Sequence, residues 1–272
     1  MSSLRRRRIL AFGAVLALIG IAAGVPHLGQ WQIRKIYVDG TTEVGIREVE
    51  EEVRSLISGR YVYLIPRSWT PLVDADFLRE RIMEKFWRLG AVSIIKEFPD
   101  TLAITLANRV FWGIVCNDAP PFAPSASGTS TPEMEIRCVY IDESGFAYDT
   151  APKNSGVLIS VVSTDLADMA PGKNILPKDF IADMEYVRRT LPHTIGSSVR
   201  RFFFYGSVPD ELRLAVEEGY EIWFRRGEGI TAIKRDIAAL RALLEKGVGK
   251  KRNRLSYIDM RFGNKIFYKT KP

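Results

Sequence analysis

Apolar positions along the chain change period several times, and each change marks a predicted element. Residues 9–25 (ILAFGAVLALIGIAAGV) are an uninterrupted apolar or small run without charge, near the short end of what spans a bilayer as a helix. After a short connector, residues 33–38 read as a strand ended by the turn pair Asp39-Gly40. Ile46, Val49, Val53, Leu56 and Ile57 then fall on one helical stripe, with Glu48, Glu50, Glu51 and Glu52 largely on the other side and Gly59 beyond the end. Asp74 stands as an N-cap before a second stripe, Leu78, Ile82, Phe86 and Leu89, which Gly90 closes. Strands over 91–97 and 101–106, joined by Pro99-Asp100, complete a β-α-α-β-β order with two helices on one face of a three-stranded sheet.

The second half carries more strands. Residues 110–116, 138–141 and 157–162 read as strands, with Asp142-Glu143-Ser144-Gly145 as a turn, and a helix over 179–191 aligns Phe180, Met184, Val187 and Leu191. Strands over 199–205, 211–216 and 220–225 follow in quick succession, then a helix over 230–246 with Ile233, Ile237, Leu240 and Leu244 inward. Residues 255–262 and 265–269 form a last hairpin around Gly263-Asn264.

Composition fits this reading. With 272 residues, 46% hydrophobic and 26% charged, the chain is long enough for one or two packed domains and too hydrophobic for global disorder. The +7 charge overstates its basicity, because Arg5, Arg6, Arg7 and Arg8 supply most of the excess. The remainder is nearly balanced, which argues against nucleic-acid binding. Those arginines directly precede the apolar run, so a membrane helix there would keep the N-terminus cytoplasmic and send the bulk of the chain across. A cleaved secretory signal is the competing reading, and it has the same consequence for the bulk. In an oxidising compartment, Cys116 and Cys138 would join and staple the base of the Pro-, Ser- and Thr-rich loop over 117–137; two unpaired buried thiols are the alternative.

A search for chemistry yields little. The two histidines, His27 and His193, lie beside the apolar run and at a helix end, where capping or surface roles are commoner than catalysis. The chain has no G-x-S-x-G elbow, no zinc spacing and no P-loop, so no catalytic, cofactor-binding or metal-binding residue is assigned. Asp142-Glu143 and Glu217-Glu218 read as solvated turn charges. The positive feature is the last strand: Lys265-Ile266-Phe267-Tyr268-Lys269 ends close to the C-terminus, so its outer N–H and C=O groups are left for water or for a docking partner strand.

Taken together, IRKIYVDGTTEV, EFPDTLAITLANR and LSYIDMRFGNKIFY resemble the FtsQ/DivIB family of bacterial cell-division proteins, collinearly from about Arg5 to Tyr268. The most specific pieces are Val38-Asp39-Gly40, Phe98-Pro99-Asp100-Thr101-Leu102 with Arg109, and Ile258-Asp259-Met260-Arg261-Phe262. The resemblance implies an α+β chain with a basic tail over 1–8, a transmembrane helix over 9–28, a POTRA domain over 29–109 and a β domain over 110–272. That β domain would be mixed, with two packed helices and a terminal edge strand. The resemblance further implies a non-enzymatic, single-pass scaffold of the cell membrane at the division septum, without cofactors. It would bind other divisome proteins through the POTRA domain and FtsB-like and FtsL-like partners through Phe262, Lys265, Ile266, Phe267 and Tyr268. A membrane-anchored peptidoglycan hydrolase and a POTRA module for export are the rival readings.

Overall fold

A computed structural model describes residues 12–13, 29–61, 65–119, 135–153, 160–227, 230–263 and 265–271. The chain divides into two compact units, Met1–Arg109 and Val110–Pro272.

In the first unit, β1 (Lys35–Thr41) leads to α1 (Ile46–Leu56), a small hairpin of β2 (Arg60–Tyr61) and β3 (Ile65–Pro66), α2 (Ala75–Lys85), β4 (Leu89–Glu97) and β5 (Thr101–Asn108). The main sheet has the order β1-β5-β4, with β1 parallel and β4 antiparallel to the central β5. Asp74 caps α2 as its spacing predicts, accepting from the N–H groups of Asp76 and Phe77 at 2.9 and 3.1 Å. Val49 and Val53 from α1 and Leu78 and Ile82 from α2 close on Leu102, Ile104 and Leu106 of β5. Each such buried aliphatic side chain contributes about 1.5–3 kcal/mol relative to exposure.

Two local expectations change. Asp39-Gly40 does not end the first strand; β1 runs on to Thr41. Gly40 has φ 134°, and a Cβ there would lie 2.0 Å from the Leu106 carbonyl oxygen, so the glycine serves close strand approach inside the sheet. Helix α2 also stops at Lys85, because Leu89 pairs with Asn108 at the start of β4. Pairing with β5 outweighs the helical spacing of Phe86 and Leu89.

In the second unit, β6 (Gly113–Cys116), β7 (Cys138–Ile141), β8 (Phe146–Ala151), β9 (Ser160–Thr164) and β10 (Lys173–Asn174) precede α3 (Lys178–Ile195). Then come β11 (Val199–Phe204), β12 (Glu211–Val216), β13 (Glu221–Arg225), α4 (Ile230–Ala242), β14 (Leu255–Phe262) and β15 (Lys265–Thr270). All ten strands form one sheet in the order β10-β8-β7-β6-β9-β11-β12-β13-β14-β15. The parallel pairs are β6–β9, β9–β11 and β13–β14, and the segments connecting the last two contain α3 and α4 respectively. Both helices lie over one face, where Phe180, Met184, Val187, Ile233, Ile237 and Leu240 meet Phe202, Phe204, Leu214, Ile222, Phe224 and Ile258. Strand β8 carries too few large apolar residues to announce itself; it is held between β7 and the short β10.

The fold-class and location expectations need correction. The chain is α+β, but among the described residues no helix is long and apolar enough to cross a membrane, and the ten-stranded sheet dominates. The segment 9–28, expected to span, lies outside the described residues except for Phe12 and Gly13. A span needs about 20 consecutive apolar residues in one helix, and no described helix has them. The described helices are amphipathic elements that pack on sheets. The single-pass anchor, the cytoplasmic N-terminus and the septal cell-membrane location therefore lose their structural basis.

Candidate functional site

The residues predicted to bind a partner meet on the β14–β15 hairpin, which Gly263 turns at φ 66°. The hairpin is irregular in a useful way. Tyr257 pairs with Lys269 while Leu255 pairs with Thr270, so two residues of β14 advance against one of β15 and the strand changes face between Leu255 and Tyr257. Leu255, Ile258 and Met260 can then all join the core under α4. A second shift between Asp259 and Phe262 re-aims the end of the strand, and Phe262 becomes exposed.

The opposite face carries an aromatic and charged lattice. Arg213, Trp223, Asp259 and Phe267 are successive cross-strand neighbours on β12, β13, β14 and β15. The Trp223 indole stacks on the Tyr257 ring at 4.5 Å with an interplanar angle of 5°. The Arg213 and Arg261 guanidinium groups lie 4.4 and 4.9 Å from the Trp223 ring centroid. Glu211 accepts from Arg213 at 2.9 Å and also from Arg261, and Asp259 accepts two bonds from the Arg261 guanidinium at 2.8 and 2.6 Å and a third from the Arg261 N–H at 3.1 Å. The Asp259 carboxylate foremost, with Glu211 adding to it, raises the Arg261 pKa above its ordinary value against the opposing effect of burial. These contacts fix β14 from below, so β15 rests on a rigid neighbour.

Strand β15 is the outermost strand of the sheet, and no described strand lies beyond it. Phe267 and Tyr268 are 50% and 48% exposed, and Phe262, at 54%, meets Phe267 edge to face at 5.1 Å. Lys265, Phe267 and Lys269 share one face, while Ile266 on the other packs against the core. The Lys271 N–H donates to the Arg254 carbonyl at 2.6 Å and closes the far end of the hairpin. Beside its turn, a cavity of about 180 Å³ is lined by Arg225, Arg235, Asp236, Arg261 and Gly263.

Cys116 and Cys138 lie elsewhere, directly opposite each other on β6 and β7, and are joined by a disulfide. Below it, the Asn117 side chain accepts from the Arg137 N–H at 2.7 Å, and Asp118 accepts from Arg201 at 2.9 Å and from the Ser163 hydroxyl at 2.6 Å. The bases of the loop are thus fixed to the sheet, while 120–134 lie outside the described residues. Among the described residues no group of three or more His, Cys, Asp or Glu could hold a metal ion.

No protein-family model matches the chain, and no curated protein matches it either.

Sequence reasoning missed Arg213, Trp223 and Tyr257 as supports of the hairpin. Their signal was the alternation Glu211-x-Arg213, Glu221-x-Trp223-x-Arg225 and Tyr257-x-Asp259-x-Arg261, which places aromatic and charged groups on one face of three strands. Reading it requires knowing that those strands are neighbours.

Proposed function

We propose that this chain is a non-enzymatic scaffold of the bacterial division machinery, of the FtsQ/DivIB kind, linking early and late division proteins. It captures an FtsB-like partner, itself paired with an FtsL-like protein, by adding a strand of that partner to β15. The first unit contacts other division proteins. The observation that carries this reading is the position of β15 at the sheet edge, with its backbone unpaired by any described strand on one side and Phe267 and Tyr268 half exposed. Main-chain bonds would supply affinity, and the aromatic side chains with Phe262 would supply selectivity. Lys265 and Lys269 guard the edge against indiscriminate pairing. The resemblance of LSYIDMRFGNKIFY to the family's closing segment supports the same assignment.

The test is co-purification from the native host. Phe267→Pro, which disrupts the strand that would template the partner, should abolish capture of the FtsB-like and FtsL-like proteins. Phe267→Ala, which leaves the backbone intact, should weaken capture roughly tenfold, the loss of one exposed aromatic anchor. Capture unchanged in both variants would overturn the assignment.

A further inference from the structure

We infer that the outer edge of β1 pairs with the same edge of a second copy of this chain, forming an antiparallel, two-fold symmetric junction centred on Tyr37. Strand β1 is an edge of the three-stranded sheet, and no described strand lies on its free side. The Lys35 N–H donates to the Asp100 carbonyl, and Lys35 pairs in register with Thr101 on β5. In a parallel ladder, alternate residues turn both backbone groups toward the same neighbour. Lys35, Tyr37 and Asp39 therefore face β5, and Ile36 and Val38 direct their N–H and C=O outward.

That pattern suits self-pairing about Tyr37. An antiparallel pair centred there sets Ile36 opposite Val38 twice as hydrogen-bonded pairs and Tyr37 opposite itself as a non-hydrogen-bonded pair. The same register sets Lys35 of each copy opposite Asp39 of the other, so both charges meet their complement across the junction. Neither Lys35 nor Asp39 has an ion-pair partner among the described residues. This charge complementarity identifies a second copy as the occupant. The edge at β15 lacks it, because pairing about Phe267 would set Lys265 against Lys269.

The side chains support the same arrangement. On the helix-free face, Tyr37, Ala103 and Ile95 form one cross-strand row, and Tyr37 and Ile95 are 60% and 59% exposed. Joining two copies would make that row continuous across six strands, from the Ile95 of one to the Ile95 of the other. On the helix side, a groove of about 250 Å³ runs beside the edge, lined by Ile33, Ile36 and Ile57 with Arg34 and Arg54, and gives an added strand room for its inward side chains.

Cysteine trapping in the full-length chain tests the junction, since Cys116 and Cys138 are already bonded to each other. Tyr37→Cys sets two sulfurs opposite each other at a Cα separation of about 4.5 Å, within reach of a disulfide. It should give a covalent dimer on non-reducing gels under mild oxidation. Thr105→Cys, exposed on the same face but on the central strand, is the control. Adding Asp39→Lys or Lys35→Asp to Tyr37→Cys should slow trapping at least about tenfold, because two like-charge pairs replace two opposite-charge ones. Mixing these two charge variants should restore trapping as a heterodimer. Trapping at position 37 no faster than at position 105, or unaffected by charge reversal, would overturn the inference, as would capture of a different protein at position 37 in place of the second copy.

Discussion

The Trp223 indole lies flat on the Tyr257 ring, 4.5 Å away and nearly parallel, so the last two parallel strands of the large sheet are joined by an aromatic stack as well as by their backbones. Two guanidinium groups, from Arg213 and Arg261, also address Trp223. Removing the indole takes from each its nearer aromatic surface and leaves Arg213 only the Tyr205 ring at 5.3 Å and Arg261 only the Phe262 ring at 5.8 Å. Trp223→Ala should destabilise the second unit by about 3 kcal/mol, the lower end of the range for large aromatic truncations, because the ring is only partly buried. Denaturant melting followed by far-ultraviolet circular dichroism measures the loss, and a change below about 1 kcal/mol would show that the stack is incidental.

The disulfide between Cys116 and Cys138 closes a loop across a sequence separation of 22. Chain-entropy reasoning assigns such a closure about 3 kcal/mol through its restriction of the unfolded chain. Replacing both cysteines by serine should lower stability by about that amount, plus the cost of two hydroxyls at buried positions. Cys116→Ala with Cys138→Ala separates the two contributions. Equal stability of oxidised protein and the double alanine variant would contradict the entropic account.

Gly40 sits in β1 at φ 134° with the Leu106 carbonyl oxygen where a Cβ would be. Gly40→Ala combines an unfavourable backbone conformation with a clash against main chain, which cannot rotate aside. The expected cost is above about 3 kcal/mol, and the first unit carries it. Hydrogen exchange should show protection lost in β1 and β5 while the ten-stranded sheet keeps its own. Uniform loss across both units would refute that partition.

Arg226 is almost fully buried and donates to Asp183 at 2.7 Å, to Asp179 at 2.6 Å and to the Pro209 carbonyl at 2.8 Å, with its guanidinium over Phe180. For Asp179, burial pushes the carboxyl pKa up, but the hydrogen bond and charge of Arg226 outweigh it and hold the value below the ordinary one. A carboxyl depressed in the folded state stabilises above its unfolded pKa and loses that contribution as pH falls through the folded value. The contribution is therefore complete at neutral pH and is lost below about pH 4. It is modest because the Asp179 side chain is 76% exposed and solvent screens the pair. Asp179→Asn should lower the urea midpoint slightly at pH 7 and by less at pH 2.5. An equal deficit at both values would point to lost packing instead of lost charge.

Much of the architecture could be read directly. The stripe from Ile46 to Ile57, the Asp74 cap and the strands 138–141, 211–216 and 255–262 occupy the stretches their periodicity marks, since burial on one face enforces the period locally. Distant pairing decided the rest. Gly40 looked like a turn because its constraint comes from Leu106, and Leu89 looked helical because Asn108, its strand partner, is far along the chain. The candidate edge was legible as a short alternating segment, Lys265 to Lys269. Its support by Arg213, Trp223 and Tyr257 was not, because strand order in a ten-stranded sheet is not written in any one strand.

The parallel pairing of β13 with β14 ties the exposed edge to the interior of the large sheet. Strand β14 follows the segment that contains α4, and β15 has no other described neighbour to lean on. A substitution that frees β14 from β13 would therefore unseat β15 as well, and the docking edge would be lost without any change in its own residues.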